Sequence, residues 1–195
     1  KSIAESKHSN CTIAAESAMS GDLKGEYQRF NRGVALEVIK LLPLEVLSKA
    51  IENGFKNTTS LTGFRGRWEQ LASSPKVIAD IGHNYAGVNE VVSQLEKETC
   101  KQLRIVWGMV NDKEIGKIVS LLPKDAIYYL SAPAIERAFP CEKWVEYFNQ
   151  TYKMEIFSNL SQAYRKALSD SESDDLIFIG GSNFVVSEII LDFFN

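Results

Sequence analysis

Histidine is nearly absent from this chain of 195 residues, which has only His8 and His83. A catalytic zinc needs three protein ligands of suitable type, so a three-histidine zinc centre is excluded. A hard-cation site built from Asp80, His83 and Asp112 stays open. Cysteine is scarce too: Cys11, Cys100 and Cys141 are odd in number and far apart. They offer neither a disulfide framework nor a CxxC metal site. A reducing cytoplasm is then the simplest setting, and burial as small apolar residues the simplest role. No apolar run approaches the roughly 18–20 residues of a membrane span, and the opening "KSIAESKHSNC" is no signal peptide. It also lacks a methionine, so the chain is expected to be processed or to be a piece of something longer. Positive charge is not in excess. A net charge of −3, with Lys and Arg scattered rather than striped, argues against nucleic acid as a partner. Neither GxGxxG nor GxxxxGKS/T occurs, and in "GHNYAG" the glycines 82 and 87 have the wrong spacing. The chain therefore cannot cradle nucleotide phosphates in a P-loop by itself.

What the chain does have is an ordinary apolar share, 45%, laid out in two rhythms. Val34, Val38, Leu41 and Leu42 fall on one helical face of "FNRGVALEVIKLLP", and Leu47, Ala50, Ile51 and Phe55 do the same in "PLEVLSKAIENGF". "KNTTSLTGFRGRW" then interrupts with turn chemistry around Gly63 and Gly66 and reads as a linker. From Pro75 the apolar bursts "KVIADIG", "LRIVWGM", "AIYYLSA" and "LIFIGGS", with a weaker "MEIFS", predict five strands. Helical stripes lie between them: Val88, Val91, Val92 and Leu95; Ile115, Ile118, Val119 and Leu122; Trp144, Val145, Phe148 and Tyr152; Leu160, Tyr164, Ala167 and Leu168. A fifth, Val185, Ile189 and Phe193, closes the chain. Strand–helix alternation with strands apolar throughout predicts an α/β fold: an open, largely parallel sheet with helices on both faces. This covers residues 61–195. Residues 1–60, with two consecutive helices, look like a fragment of a different domain.

In open parallel sheets ligands bind beyond the carboxyl ends of the strands. That singles out "DIGHN", "GMVNDK", "SAP" and "GGSNF", and puts Asp80 and His83 on one rim with Asp112, Lys113, Ser131 and Ser182. Glycines 82, 180 and 181 let backbone approach whatever binds there. Structural roles compete with chemical ones. Asp112 suits a helix N-cap, with Lys113 in the first turn, and Asn183 suits the cap of the last helix, with Ser182 a loop residue. Asp80 either holds the strand–loop corner by accepting backbone N–H bonds or takes part in chemistry. His83 sits between Gly and Asn at a strand exit, not on an apolar stripe, which favours function. Asp80, His83 and Ser182 also occur in an Asp…His…Ser order. However, the nucleophile elbow that "GGSNF" faintly echoes needs a glycine where Phe184 stands.

Together, "GRWEQL…PKVIADIGHNYAGVNEVV", "VWGMVNDKEI…LLPKDAIYYLSAPAIERAF" and "DLIFIGGSNFVVSEI" resemble the folylpolyglutamate synthase/dihydrofolate synthase family of Mur-ligase-like amide ligases. The likeness is to the C-terminal domain, whose sheet is Rossmann-like. Upstream, "LKGEYQRFNRGVAL" resembles the end of the family's central ATPase domain, which would make 1–60 its remnant and 61–195 the C-terminal domain. The resemblance implies ATP-dependent addition of L-glutamate to folate or dihydropteroate through an acyl phosphate, with ATP and Mg²⁺ bound mainly by an N-terminal domain this chain lacks. The chain alone would then be inactive.

The resemblance also implies roles. Asn31 would hydrogen-bond the adenine, and Arg67, beside a Gly63–Gly66 hinge, would reach ATP. Asp80 and His83 would face the γ-phosphate and the incoming glutamate, and Ser182 would place a hydroxyl near that glutamate. Asp112 and Lys113 receive no role. One departure is visible, since Glu136 stands before Arg137 where the family usually has proline, which puts local backbone rigidity in question. The rival expectation is a non-catalytic α/β module that binds an amino acid or anion.

Overall fold

The computed structural model describes residues 2–111, 114–148 and 150–195. They form two compact units, Lys1–Phe64 and Arg65–Asn195. The first contains helices α1 (Ser2–Ser6), α2 (Gln28–Leu41), α3 (Ser48–Lys56) and α4 (Thr58–Thr62). The expected linker is therefore partly helical. Helix α4 ends on Gly63, whose φ of +67° is the left-handed cap that glycine adopts at least cost.

The two apolar stripes of this unit do not build a core. Every buried apolar side chain of the described residues lies at Trp68 or beyond. Val34, Val38 and Leu41 are each more than half exposed on α2. Leu42 and Leu47 fall just past helix ends, at the C-cap of α2 and the N-cap of α3. What the unit does bury is Ser17, Gln28 and Gly33. Gly33 is required because a Cβ there would meet the Ala15 carbonyl oxygen at 1.9 Å.

The second unit is a six-stranded sheet of β1 (Glu69–Ser73), β2 (Lys76–Ala79), β3 (Leu103–Trp107), β4 (Ile127–Leu130), β5 (Lys153–Ile156) and β6 (Leu176–Gly180). The order is β1-β2-β6-β3-β4-β5, with only β1 antiparallel to its neighbour. Helices α5 (Tyr85–Leu95), α6 (Ile115–Val119) and α7 (Trp144–Tyr147) cover one face, against Ile78, Ile105, Tyr128 and Phe178. Helices α8 (Leu160–Ser169) and α9 (Asn183–Phe193) cover the other, against Val77, Val106, Tyr129 and Ile177. Neighbours along a strand thus alternate between two apolar layers. That is why the central strands read as nearly continuous apolar runs.

Some stripe members depart from expectation. Val145 and Leu168 face solvent, while Leu122 and Tyr152 pack beyond the ends of α6 and α7. The cysteines are less buried than expected: Cys11 is exposed, and Cys100 and Cys141 are partly buried, enough to push both thiol pKa values up. No helix among the described residues is long and apolar enough to cross a membrane.

A polar chain links β3 and β4 to the residues just before β6 and just after α8. Arg104 donates from Nε to Asp175 Oδ2 (2.9 Å) and from Nη1 to the Tyr129 hydroxyl (2.9 Å), which in turn donates to Asp170 Oδ2 (3.0 Å). Burial, helped by the Asp170 carboxylate, pushes the Tyr129 phenol up to about 12, against about 10 in an unfolded chain. A raised pKa of this kind supports the fold fully below about pH 10, and that support is lost as pH rises towards about 12. Tyr129→Phe is expected to cost about 1 kcal/mol at neutral pH and to shallow the alkaline loss of stability. Denaturant melts from pH 7 to 12 check this, and an unchanged alkaline slope contradicts it.

Candidate functional site

The strand order sets the site. Because β6 is inserted between β2 and β3, the carboxyl ends of these three strands lie side by side, at the switch point where open α/β sheets take ligands. Asp80 N donates to Ile179 O (3.1 Å), Gly108 N to Gly180 O (3.5 Å) and Ser131 N to Trp107 O (3.0 Å). Asp80, Gly108, Ser131 and the Gly180–Ser182 turn therefore share one edge. The backbones approach closely: a Cβ on Gly181 (φ +95°) would lie 2.4 Å from Gly108 O, and one on Gly108 would lie 2.7 Å from Ser131 O. Gly108 is the glycine that sequence reasoning passed over, since a single Gly in "VWGMV" carries no motif.

Asp80 is 1% exposed. Its Oδ2 accepts from Trp68 N (2.8 Å) and its Oδ1 from Gly82 N (2.7 Å). Alongside, Ile81 N donates to Gly66 O (2.9 Å). Gly66, at φ +78°, could carry no side chain, because a Cβ would meet Ile81 and Val186 within 3 Å. Glu69 completes the corner by accepting from Gly66 N (2.7 Å) and Arg65 Nε (2.8 Å). Arg67 thus stands between two residues pinned to the loop after β2, with its own side chain part-exposed. Sequence reasoning missed Trp68, whose main-chain N–H is the far end of this clamp.

His83 lies three residues past Asp80 and is exposed. Its Nδ1 is 3.1 Å from Ile81 O. A carbonyl can only accept, so Nδ1 carries the proton of this hydrogen bond; in the neutral tautomer that leaves Nε2 as an acceptor. Asn84, next in the chain, caps α5 by accepting from Gly87 N (2.8 Å).

Ser182, not Asn183, is the N-cap of α9, because its Oγ accepts from Val185 N (3.2 Å) and Asn183 is already helical. It is 1% exposed. These partners do not assemble a hydrolase triad: Nδ1 of His83 faces a carbonyl, and Ser182 Oγ serves its helix. Asp112 and Lys113 lie outside the described residues, as does any cation site that needs Asp112. Among the described residues no group of three or more His, Cys, Asp or Glu could hold a metal ion.

The segment with Glu136 in place of proline is held by other means. Asn111 N donates to Arg137 O (2.9 Å), Phe139 N to Met109 O (2.8 Å) and Ala134 N to Glu188 Oε2 (3.0 Å). The Arg137 guanidinium also lies 5.3 Å over the Phe184 ring. In the first unit, Asn31 Nδ2 donates to Gln28 Oε1 (3.0 Å), and both residues line a cavity of about 200 Å³.

Residues 66–183 match the family described as Mur ligase, glutamate ligase domain. Among curated relatives, a probable bifunctional folylpolyglutamate synthase/dihydropteroate synthase of Haloferax volcanii is 27% identical over 85% of this chain and 20% of its own length. The dihydrofolate synthase/folylpolyglutamate synthase of Escherichia coli is 26% identical over 82% of this chain and 37% of its own. A solved structure of Mycobacterium tuberculosis folylpolyglutamate synthase complexed with ADP is similar at a TM-score of 0.72 and 25% identity, over 92% of this chain and 42% of that one. The chain therefore spans well under half the length of the proteins it matches. Relatives named as synthases and ligases do not favour the rival expectation of a non-catalytic module. The family match covers more than half of the chain, and on that ground the chain belongs to the Mur ligase family, through its glutamate ligase domain.

Proposed function

We propose that this chain is the carboxyl-terminal part of an ATP-dependent amide ligase that adds L-glutamate to folate, with dihydropteroate as the second acceptor, through an acyl phosphate. In this reading residues 1–60 are the end of an ATPase domain and 61–195 the glutamate ligase domain. The lack of any buried apolar side chain among the described residues of the first unit supports it, because a helical piece without a core fits a larger domain better than a domain of its own. The single observation that carries the site is the Asp80 clamp, which ties the segment bearing Arg67 and the loop bearing His83 to one strand exit.

The residues then divide the work. Asn31 hydrogen-bonds the adenine. The Arg67 fork takes phosphate oxygens and offsets the charge that develops as the γ-phosphoryl group moves to the acceptor carboxylate. The amine of glutamate attacks the acyl phosphate, the C–N bond forms and phosphate leaves. His83, with Nε2 as acceptor, takes a hydrogen bond or proton from that amine. Asp80 fixes the loop that carries His83 through its two main-chain hydrogen bonds. The Ser182 hydroxyl proton remains to be donated towards the glutamate. The Mg²⁺ that accompanies ATP would be held mainly by the N-terminal domain, as the family resemblance implies, and no step is drawn through it.

The intact gene product is expected to release phosphate only when ATP, glutamate and a folate acceptor are all present, and the 195-residue chain alone is expected to release none. Turnover by the chain alone contradicts this. In the intact protein, His83→Ala is expected to lower kcat by about 10²–10⁴-fold with an unchanged melting temperature, because the side chain is exposed. Asp80→Ala strands two backbone N–H groups, at about 1–3 kcal/mol each, so activity and melting temperature should fall together. A wild-type rate in His83→Ala removes that residue from the mechanism.

A further inference from the structure

The cavity of the first unit has apolar walls from Leu23, Ala35 and Phe55 and polar groups from Gln28, Asn31 and Arg32. Its volume of about 200 Å³ is the share of roughly seven waters at about 30 Å³ each. That suits one flat heteroaromatic ring system and is below the roughly 300 Å³ at which pockets for larger ligands begin. Gln28 is 3% exposed, yet its Nε2 has no hydrogen-bond partner. Arg32 Nε is also buried and unpartnered. Buried polar groups are nearly always paired, so two unmet donors on one small cavity point to a ligand with acceptors.

We propose that Gln28 selects the base of the nucleotide, an inference that rests on the assignment of Asn31 to adenine made above. Two side-chain amides bonded to each other, as Asn31 and Gln28 are, leave one C=O and one NH₂ wholly unengaged, whichever way the pair is turned. The N6/N7 edge of adenine carries one donor and one acceptor, and takes both. The O6/N7 edge of a 6-oxopurine carries two acceptors, so its O6 meets the unengaged carbonyl where adenine presents its N6 amine. Gln28 therefore has two tasks: it fixes the Asn31 amide, and it supplies the second reading group from within the cavity. A glutamine that merely braced the first turn of α2 would affect all bases alike, so the ratio between bases is the informative readout.

Calorimetric titration of the intact gene product with ADP and with inosine diphosphate tests this. The wild type is expected to prefer ADP roughly ten- to hundredfold. Gln28→Leu is similar in size and is expected to weaken ADP by a comparable factor while leaving inosine diphosphate within about threefold, which brings the ratio near one. Gln28→Glu keeps the acceptor for Asn31 but replaces the donor with a second acceptor, and is expected to narrow the ratio too. It decides the matter if Gln28→Leu does not fold. A wild-type ratio in these variants overturns the role of Gln28 and leaves the nucleotide site of the proposed ligase standing. Failure of the wild type to bind ADP overturns both.

Discussion

The carboxylate of Asp80 is the constraint on which the rest of the edge depends. Its two oxygens take the main-chain N–H groups of Trp68 and Gly82 at 2.8 and 2.7 Å. Trp68 sits at φ +48°, in the left-handed region, which costs a residue with a side chain roughly 1–2 kcal/mol. Hydrogen bonds to a charged acceptor contribute about 1.5–3 kcal/mol each, so the clamp outweighs the strain it imposes. The result is a rigid corner. The segment carrying Arg67 cannot drift from the loop carrying His83, and both stay at the carboxyl end of a sheet whose next strands arrive through glycines.

How far such a corner could be anticipated depends on what each residue type reveals. Strands β2, β3, β4 and β6 are legible because double burial keeps them apolar apart from Lys76 and Arg104 near the amino ends of β2 and β3. Strand β1, "EQLAS", is not, since an antiparallel edge strand needs neither apolar face filled. Helices α2 and α3 of the first unit are legible by period, yet their exposure is not, because a stripe such as Val34, Val38 and Leu41 says only that something should cover it. Ser182 and Asn183 are both good caps, and the choice between them rests on backbone angles that composition does not carry.

The candidate site divides in the same way. Asp80 and His83 stand out in sequence because polar residues at a strand exit need a reason. The geometry adds what the sequence could not: Asp80 acts on main-chain N–H groups twelve and two residues away, and the His83 ring is oriented by Ile81 O. Trp68 and Gly108 were invisible because they contribute backbone and space rather than a functional group. Gln28 was hidden because an amide inside a helix looks like any solvated residue until its burial is known.

The central claim, that Asp80 locks the Arg67 segment to the His83 loop through two main-chain bonds, is tested most directly by amide hydrogen exchange. The Trp68 and Gly82 amides are predicted to exchange slowly in the wild type. In Asp80→Asn at least one of them should exchange faster by orders of magnitude, while the amide of Val106 in the sheet centre stays as it was. Solvent-rate exchange at both amides in the wild type, or unchanged protection in the variant, would contradict the account.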